Sequence, residues 1–508
     1  MQLPFPERIP LFPAIIFSLV LCLLQQVEGT SLIFSAGTFC FIVISVIAFN
    51  LAGGLARPSG AWIFAYTLLA FILGVTYKVL TGEPGQSNLQ QPEMTIEVYV
   101  GTVVALLVAV YVNRRLRLKK SLLPQFKSDS DMHRAAFGCL LVGAAADLYV
   151  TFRSSGNVSG SLFSAFQQFN AFLPLAMVLG VTSEIRRSGG RRSVNIPVIV
   201  AGFLIFAGGV LGYSKQGMLT PFVCWVFPAA AQRLRMSILQ IAVLVLSFAF
   251  VSYYLVPYSQ YGRAFKVQDA TFSQNLKTNL LLLSNLGEVR KAYLAGMDDL
   301  YARSDELRYY NKPQGLVDRL QMITPDDAAI NITQNGAVFG MEPTLWAFED
   351  LIPHFIWPGK PTLAFNNIYA HEIGILTDED DTTTGISFSP AGDAFHEAKW
   401  IGVFIMLPIL AFSTFFLTDS VAGDTRVSPF ALLSVIGSLH GAPEGGIVQF
   451  VGASTKGIAA LYVIAYLTVY VTPLIADFIL GPAKRQISMT GSIASKPGRL
   501  VRAESRLE

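Results

Sequence analysis

Apolar residues along this chain fall in runs of about 20, the length that carries a helix across a bilayer core. Twelve such runs stand out, near 9–26, 31–50, 61–80, 96–113, 134–152, 160–182, 194–212, 216–232, 236–256, 400–418, 429–447 and 456–480. The eighth contains Pro221 and Pro228, and the eleventh contains His440, Pro443, Glu444 and several glycines, so these two are the most interrupted. The first run has the position of a signal peptide, but QQVEGTS after Leu24 offers no small-residue cleavage site, so it is read as a span. The pattern predicts an all-α, polytopic membrane protein with about twelve transmembrane helices.

The polar segments between the runs give an orientation. One set of alternate connections, together with both termini, carries 22 Lys and Arg, including the run Arg114 to Lys120 and Arg186, Arg187, Arg191 and Arg192. The short connections of the other set carry four: Lys78, Arg153, Lys215 and Lys456. Basic residues mark the cytoplasmic side, so both termini are expected there. Residues 1–256 then hold spans one to nine, 257–399 form one large outer loop, 400–481 hold spans ten to twelve, and 482–508 form a Ser/Arg-rich cytoplasmic tail. The loop has 11 Lys and Arg against 19 Asp and Glu, and a structureless loop of that length is unusual. Its leucine-rich stretch from Leu276 to Leu294 reads either as a helix on the outer leaflet, with Leu276, Leu280 and Leu283 on one face, or as a helix packed on the loop's own core.

Composition agrees. Of the 508 residues, 52% are apolar and 14% charged, about half the charge of a soluble domain. A net charge of +3, with the basic residues in short inter-run clusters, excludes a nucleic-acid binder. The four cysteines, Cys22, Cys40, Cys139 and Cys224, all sit in apolar runs and do not form a disulfide framework. The five histidines lack metal-ligand spacing, and phosphate-binding, nucleophile-elbow and dinucleotide motifs are absent. Asn157-Val-Ser159 and Asn331-Ile-Thr333 match the short glycosylation sequon.

Candidate chemistry gathers on the outer side. The turn Gly212 to Leu219 (GYSKQGML) places Lys215 either as a snorkelling cation or as an ammonium fixed at headgroup depth, where a lipid phosphate lies. The run Ile352 to Pro361 (IPHFIWPGKP) is stiffened by Pro353, Pro358 and Pro361. It carries Trp357, whose ring suits a bilayer surface, and Lys360, either held in place or merely solvated. Further on come an acidic tetrad, Asp378 to Asp381, read as a solvated tip, and Asp393, His396 and Glu397 at i, i+3 and i+4. A helix entering span ten would put these three on one face. They read either as a general base taking a hydroxyl proton or as an ordinary acidic helix start. Asp147, His440 and Glu444 are ionisable groups near the outer ends of their spans; they read either as functional groups, since the placement is costly, or as groups that each reach water at the interface.

Three segments together carry a resemblance: IPHFIWPGKP, then GISFSPAGDAF, then KWIGV before a span. They resemble the Wzy-type oligosaccharide repeat-unit polymerases of bacteria, the O-antigen and exopolysaccharide polymerases. The matching positions are Pro353, Trp357, Pro358, Lys360 and Pro361, then Gly385 and Ser387, then Gly392, Asp393, Phe395 and Gly402, while GYSKQGML looks like the family's "gSRg" turn. Lys215 stands where arginine is usual, Asp393 where glutamate is usual, and His354 where arginine is common.

The resemblance implies a GT-C-like glycosyltransferase of the bacterial inner membrane that uses no cofactor. It implies transfer of a growing glycan from polyprenyl diphosphate onto a hydroxyl of an incoming lipid-linked repeat unit at the periplasmic face. Asp393, with His396, is expected to take the hydroxyl proton. Lys215 and Lys360 match motif positions and are expected to hold the donor diphosphate, with Arg319 as a third cation from the loop. Trp357, Glu397, His440 and Glu444 are expected to contact donor or acceptor. Expected partners are the polyprenyl-diphosphate-linked oligosaccharide, the bilayer and a chain-length regulator. O-antigen ligase-like transfer and a flippase for the same lipid are the alternatives; the long outer loop and the lack of inverted repeats weigh against the flippase.

Overall fold

The computed structural model describes residues 1–153, 169–265, 272–303, 308–352 and 385–481, with 356, 357, 359, 360, 364–374, 376 and 381 between them. Among these residues the structure is helical, and its only β pairing is an isolated bridge between Gln2 and Arg235. Pro353, His354, Pro358, Pro361, Asp378 to Asp380, the sequon at Asn157, the outer connection after Arg153 and the tail after Gly481 lie outside the described residues.

A helix occupies each of the twelve apolar runs. These are α1 (Leu11–Val27), α2 (Leu32–Ala52), α3 (Pro58–Leu80), α4 (Pro92–Leu116), α5 (Asp129–Arg153), α6 (Phe172–Arg187), α7 (Ile196–Leu211), α8 (Lys215–Ala231) and α9 (Ile238–Arg263). Five helices of the long connection follow: α10 (Phe272–Ser284), α11 (Leu286–Arg303), α12 (Ile323–Gln334), α13 (Glu342–Glu349) and α14 (Phe365–Glu372). The chain ends in α15 (Pro390–Ala422), α16 (Pro429–Glu444) and α17 (Val448–Leu480). Six of them (α2, α3, α4, α9, α15 and α17) are long and apolar enough to cross a membrane, and α1 and α7 are shorter apolar helices. The chain is a helical, multi-pass membrane protein in outline.

Local sequence sets the helix ends. Ser31, Asn195, Ser214, Ser237 and Ser428 accept a hydrogen bond from a first-turn N–H of the helix that follows, and Ser237 forms a capping box with Gln240. Proline opens α3, α4, α15 and α16, where its missing N–H costs nothing.

Two packed cores result. In the first, Trp62 of α3 meets Phe415 of α15 and Phe450 of α17 at ring separations of 5.5 and 5.0 Å, and Phe71 meets Phe41 and Tyr99 at 4.7 and 5.2 Å. The second joins α5, α6, α8, α16 and α17 around Cys139, Leu175, Cys224 and Ala465. Residues 238–250 of α9 include none that is buried, so this half turns its apolar side chains outward, as lipid-facing helices do.

The leucine-rich stretch is divided between α10 and α11 and packs on the body of the protein. Leu282 and Val289 are buried against Tyr213 and Tyr258, and Asn279 accepts from the Tyr258 hydroxyl. Leu283 packs against this cluster too, whereas Leu280 and Leu281 are exposed, so the buried face runs through Asn279, Leu282, Leu283 and Val289 rather than through Leu276, Leu280 and Leu283 together. A second departure lies in α15. The helix breaks at Ala398 and Lys399, where Lys399 adopts φ 50°, so residues 390–397 form a short helix set off from the apolar part after residue 400.

Candidate functional site

The site begins with a turn. α7 and α8 meet so closely that a Cβ on Gly209 would lie 2.5 Å from the backbone carbon of Gly217, a contact that only glycine permits. Ser214 caps α8 at the Gly217 N–H, 3.0 Å away, and Lys215 is the first residue of the helix. Its ammonium is thus carried on a fixed corner. Opposite it, the last turn of α16 carries His440 and Glu444, whose Nδ1 and Oε2 are 3.8 Å apart. Arg319 comes from a short turn of the long connection. Lys215, Arg319, His440 and Glu444 line one cavity of about 180 Å³. Two cations and a carboxylate–imidazole pair, drawn from three regions of sequence, therefore share one space.

A second cavity, about 340 Å³, is lined by Asp393, Tyr369, Asn366, Trp346 and Gly446. Glu444 lines both cavities.

Asp393 is buried, and both of its oxygens are engaged. The Tyr369 hydroxyl donates to Oδ1 at 2.9 Å, and the Ile447 N–H donates to Oδ2 at 2.7 Å. Gly446 has φ 59°, and a Cβ there would sit 2.2 Å from Oδ2. The cap of its own helix is Ser389, which accepts from the Ala391 N–H at 3.1 Å. Asp393 instead holds the turn that opens α17, so the capping role is real but belongs to another helix.

Three expected site residues are committed elsewhere. His396 is fully buried; Nδ1 is 2.8 Å from the Thr333 hydroxyl and Nε2 is 3.1 Å from Glu372, so neither nitrogen faces a cavity. Glu397 accepts from the Thr344 hydroxyl at 3.1 Å inside the loop's core. Lys360 donates to Asp350 Oδ1 at 2.7 Å and to the carbonyls of Asp350 and Ile352 at 3.1 and 3.0 Å. An ammonium has three hydrogens, and all three are used, so Lys360 has none left for a diphosphate. Asp350 also accepts from Lys456 at 2.5 Å. Burial alone would raise the Asp350 carboxyl, but the bonds from Lys360 and Lys456 outweigh it and hold the group below its ordinary value. Trp357 is 37% exposed and, like the half-buried Asp147, lines neither cavity.

Several polar groups were not singled out from the sequence. Asp326 accepts from the Tyr99 hydroxyl at 2.6 Å and from the Ser389 N–H and hydroxyl at 2.8 and 2.5 Å. Burial pushes its carboxyl up to about 7, against the pull of those bonds. Asp327 accepts from the N–H groups of Gln90 and Gln91 and from Thr95. The doublet Asp326-Asp327 at a helix start was a readable signal of first-turn acids. Lys78 is buried, donates to the Ser87 and Tyr309 carbonyls and lies 3.9 Å from the Tyr309 ring centre.

No family model, curated protein or solved structure matches this chain.

Proposed function

We propose that this protein is a polysaccharide repeat-unit polymerase of the bacterial inner membrane. In this reading all twelve helices on the apolar runs cross the membrane in a GT-C-like arrangement, both termini are cytoplasmic, and the 257–399 connection is periplasmic. The 22-to-4 division of basic residues supports the orientation. The observation that carries the chemistry is the shared cavity of Lys215, Arg319, His440 and Glu444, with Glu444 continuing into the second cavity.

The reaction asks for two things at one place. The bond between the glycan's anomeric carbon and the diphosphate oxygen breaks, and negative charge collects on the leaving diphosphate. Lys215 and Arg319 oppose that charge. The acceptor hydroxyl oxygen forms the new glycosidic bond and gives up its proton. Glu444, beside His440, takes that proton, and polyprenyl diphosphate departs. Asp393 acts through the turn it holds, keeping Glu444 and Gly446 in register with the start of α17. A chain-length regulator is a further partner on the same reading.

The test is incubation of the purified full-length protein with a synthetic polyprenyl-diphosphate-linked repeat unit. A ladder of longer glycans supports the polymerase. Transfer to a different acceptor makes it a ligase, and vesicle reorientation of the lipid without any new product makes it a flippase. Either of those results overturns the proposal.

A further inference from the structure

A third cavity is the largest of those bordering the site, about 680 Å³, within the range of roughly 300–1,000 Å³ common for ligand sites. It lies among α3, α6, α8, α15, α16 and α17, and among the described residues no ionisable side chain lines it. Along α17 it extends from Gln449 to Ile464, about 22 Å at ~1.5 Å per residue. Trp62, Phe415 and Phe450 form part of the wall. Four of the five hydroxyls of the wall are already used by helix backbones: Thr220 donates to the Gln216 carbonyl at 2.8 Å, Thr414 to Phe450 at 2.9 Å, Thr418 to Thr414 at 2.7 Å and Ser438 to Val435 at 2.9 Å. The other polar side chains of the wall are Ser434, Asn170, Gln216 and Gln449, all uncharged, and most of the lining is apolar, so the wall offers a phosphate no cation and favours hydrocarbon.

Its position adds the second half of the argument. Gln216, Thr220 and Ile436 line both this cavity and the one holding Lys215 and Arg319. A long uncharged chamber therefore opens beside a small cationic one. That pairing matches an amphiphile with an anionic head and a hydrocarbon tail. A comparable apolar groove of about 620 Å³ between α7, α8 and α9, lined by Phe203, Phe222 and Val243, shares no lining residue with the cationic cavity.

We infer that the third cavity takes the prenyl chain of a lipid diphosphate whose head lies against Lys215 and Arg319. The inference rests on the proposed function for the identity of the lipid and adds where its tail goes. Gly437 lines the cavity, and nothing lies within 4 Å of a Cβ built on it, so Gly437→Phe fills the chamber without a backbone clash.

The experiment uses the full-length protein in phosphatidylcholine nanodiscs. The probes are inorganic diphosphate, farnesyl diphosphate, a farnesyl diphosphate bearing a terminal diazirine, and dioleoyl phosphatidic acid as competitor. The wild type should bind farnesyl diphosphate at least tenfold more tightly than inorganic diphosphate. Gly437→Phe should remove that difference and leave inorganic diphosphate affinity unchanged. In the wild type the diazirine should label α16 or α17, a result that does not depend on the variant folding. No chain-dependent preference, unchanged farnesyl affinity in the variant, labels on α7 or α9, or equal competition by phosphatidic acid would each overturn the inference. Chain-dependent binding with labels in the cavity, but no glycan ladder, overturns the polymerase and leaves the tail site standing. A ladder made at full rate by Gly437→Phe does the reverse.

Discussion

Asp393 either takes a proton or holds a turn, and one isosteric change tells these apart. In Asp393→Asn the side-chain oxygen stays on the Ile447 N–H and the amide faces the Tyr369 hydroxyl, which turns from donor to acceptor. Both bonds survive but lose their charge, falling from about 1.5–3 to about 0.5–1.5 kcal/mol each. Relief from burying an ion opposes that loss, so the net cost is roughly 0–2 kcal/mol. Asp393→Ala leaves the Ile447 N–H and the Tyr369 hydroxyl buried without a partner, at about 1–3 kcal/mol each, or roughly 2–6 kcal/mol together. The two variants and Glu444→Gln are compared by denaturant unfolding and by the glycan ladder. Asp393→Asn should elongate within about tenfold of wild type, since geometry is kept. Asp393→Ala should lose stability and elongation together. Glu444→Gln should keep its stability and lose about 10²–10⁴ in rate, the usual cost of removing a general base. If Asp393→Asn unfolds like wild type yet elongates a hundredfold more slowly, the turn-holding argument fails and Asp393 is the base.

The other residues give sharper, smaller forecasts. Lys215→Ala should abolish chain growth and weaken inorganic diphosphate binding at normal abundance, whereas Lys215→Arg should keep both; full-length polymer from the Ala variant removes Lys215 from the site. Lys360→Met leaves Lys456 on Asp350 and should cost about 1–3 kcal/mol in unfolding experiments with diphosphate affinity unchanged; the opposite pattern would return Lys360 to substrate binding. Asp326, pushed up to about 7, binds its proton more tightly folded than unfolded, so stability should fall as pH rises from near the ordinary carboxyl value of about 4 to about 7. Asp326→Asn should flatten that slope, and an unchanged slope would assign it to another group. Lys291→Cys, on an exposed part of α11, should react with an impermeant maleimide in intact spheroplasts; labelling only after lysis would reverse the topology.

The helices were legible because a run of about 20 apolar residues is a local signal, and even α8 and α16 stayed helical around their internal prolines. The cationic cavity was half legible: Lys215, His440 and Glu444 stood out as charges at span ends, and the structure joins them with Arg319. What stayed hidden was pairing across sequence. Lys360 looks available in IPHFIWPGKP until Asp350, ten residues earlier, folds back to meet it. His396 shares a helical turn with Asp393, but its partners Thr333 and Glu372 come from α12 and α14, and they decide that it is structural. The helix period put Asp393, His396 and Glu397 on one face, but residues 390–397 are buried on every side, and the period carried no information on what covers each of them.

The same long-range acids explain why the site is held on one side. Near one end of α15, Asp419 accepts from the Ser59 N–H and hydroxyl, from Asn113 at 2.8 Å and from Arg117 at 3.2 Å, so it ties α3 and α4 to α15. Near the other end, Asp326 joins Tyr99 of α4 to Ser389 just before α15. Each is a buried carboxylate with at least three donors, which offset part of the cost of burial; at Asp326 burial still outweighs them. Together they fasten α4 and α15 at two levels. Lys215 stands on α8, which meets α7 through glycines, α9 through the apolar contacts of Met218 with Val251 and Leu255, and the second core through Cys224. The cationic cavity thus has Glu444 beside the turn that Asp393 secures and Lys215 on the glycine-packed corner of α7 and α8. On the proposed function, a lipid diphosphate whose head lies against Lys215 also meets Glu444, so it bridges the corner of α7 and α8 and the turn that Asp393 secures.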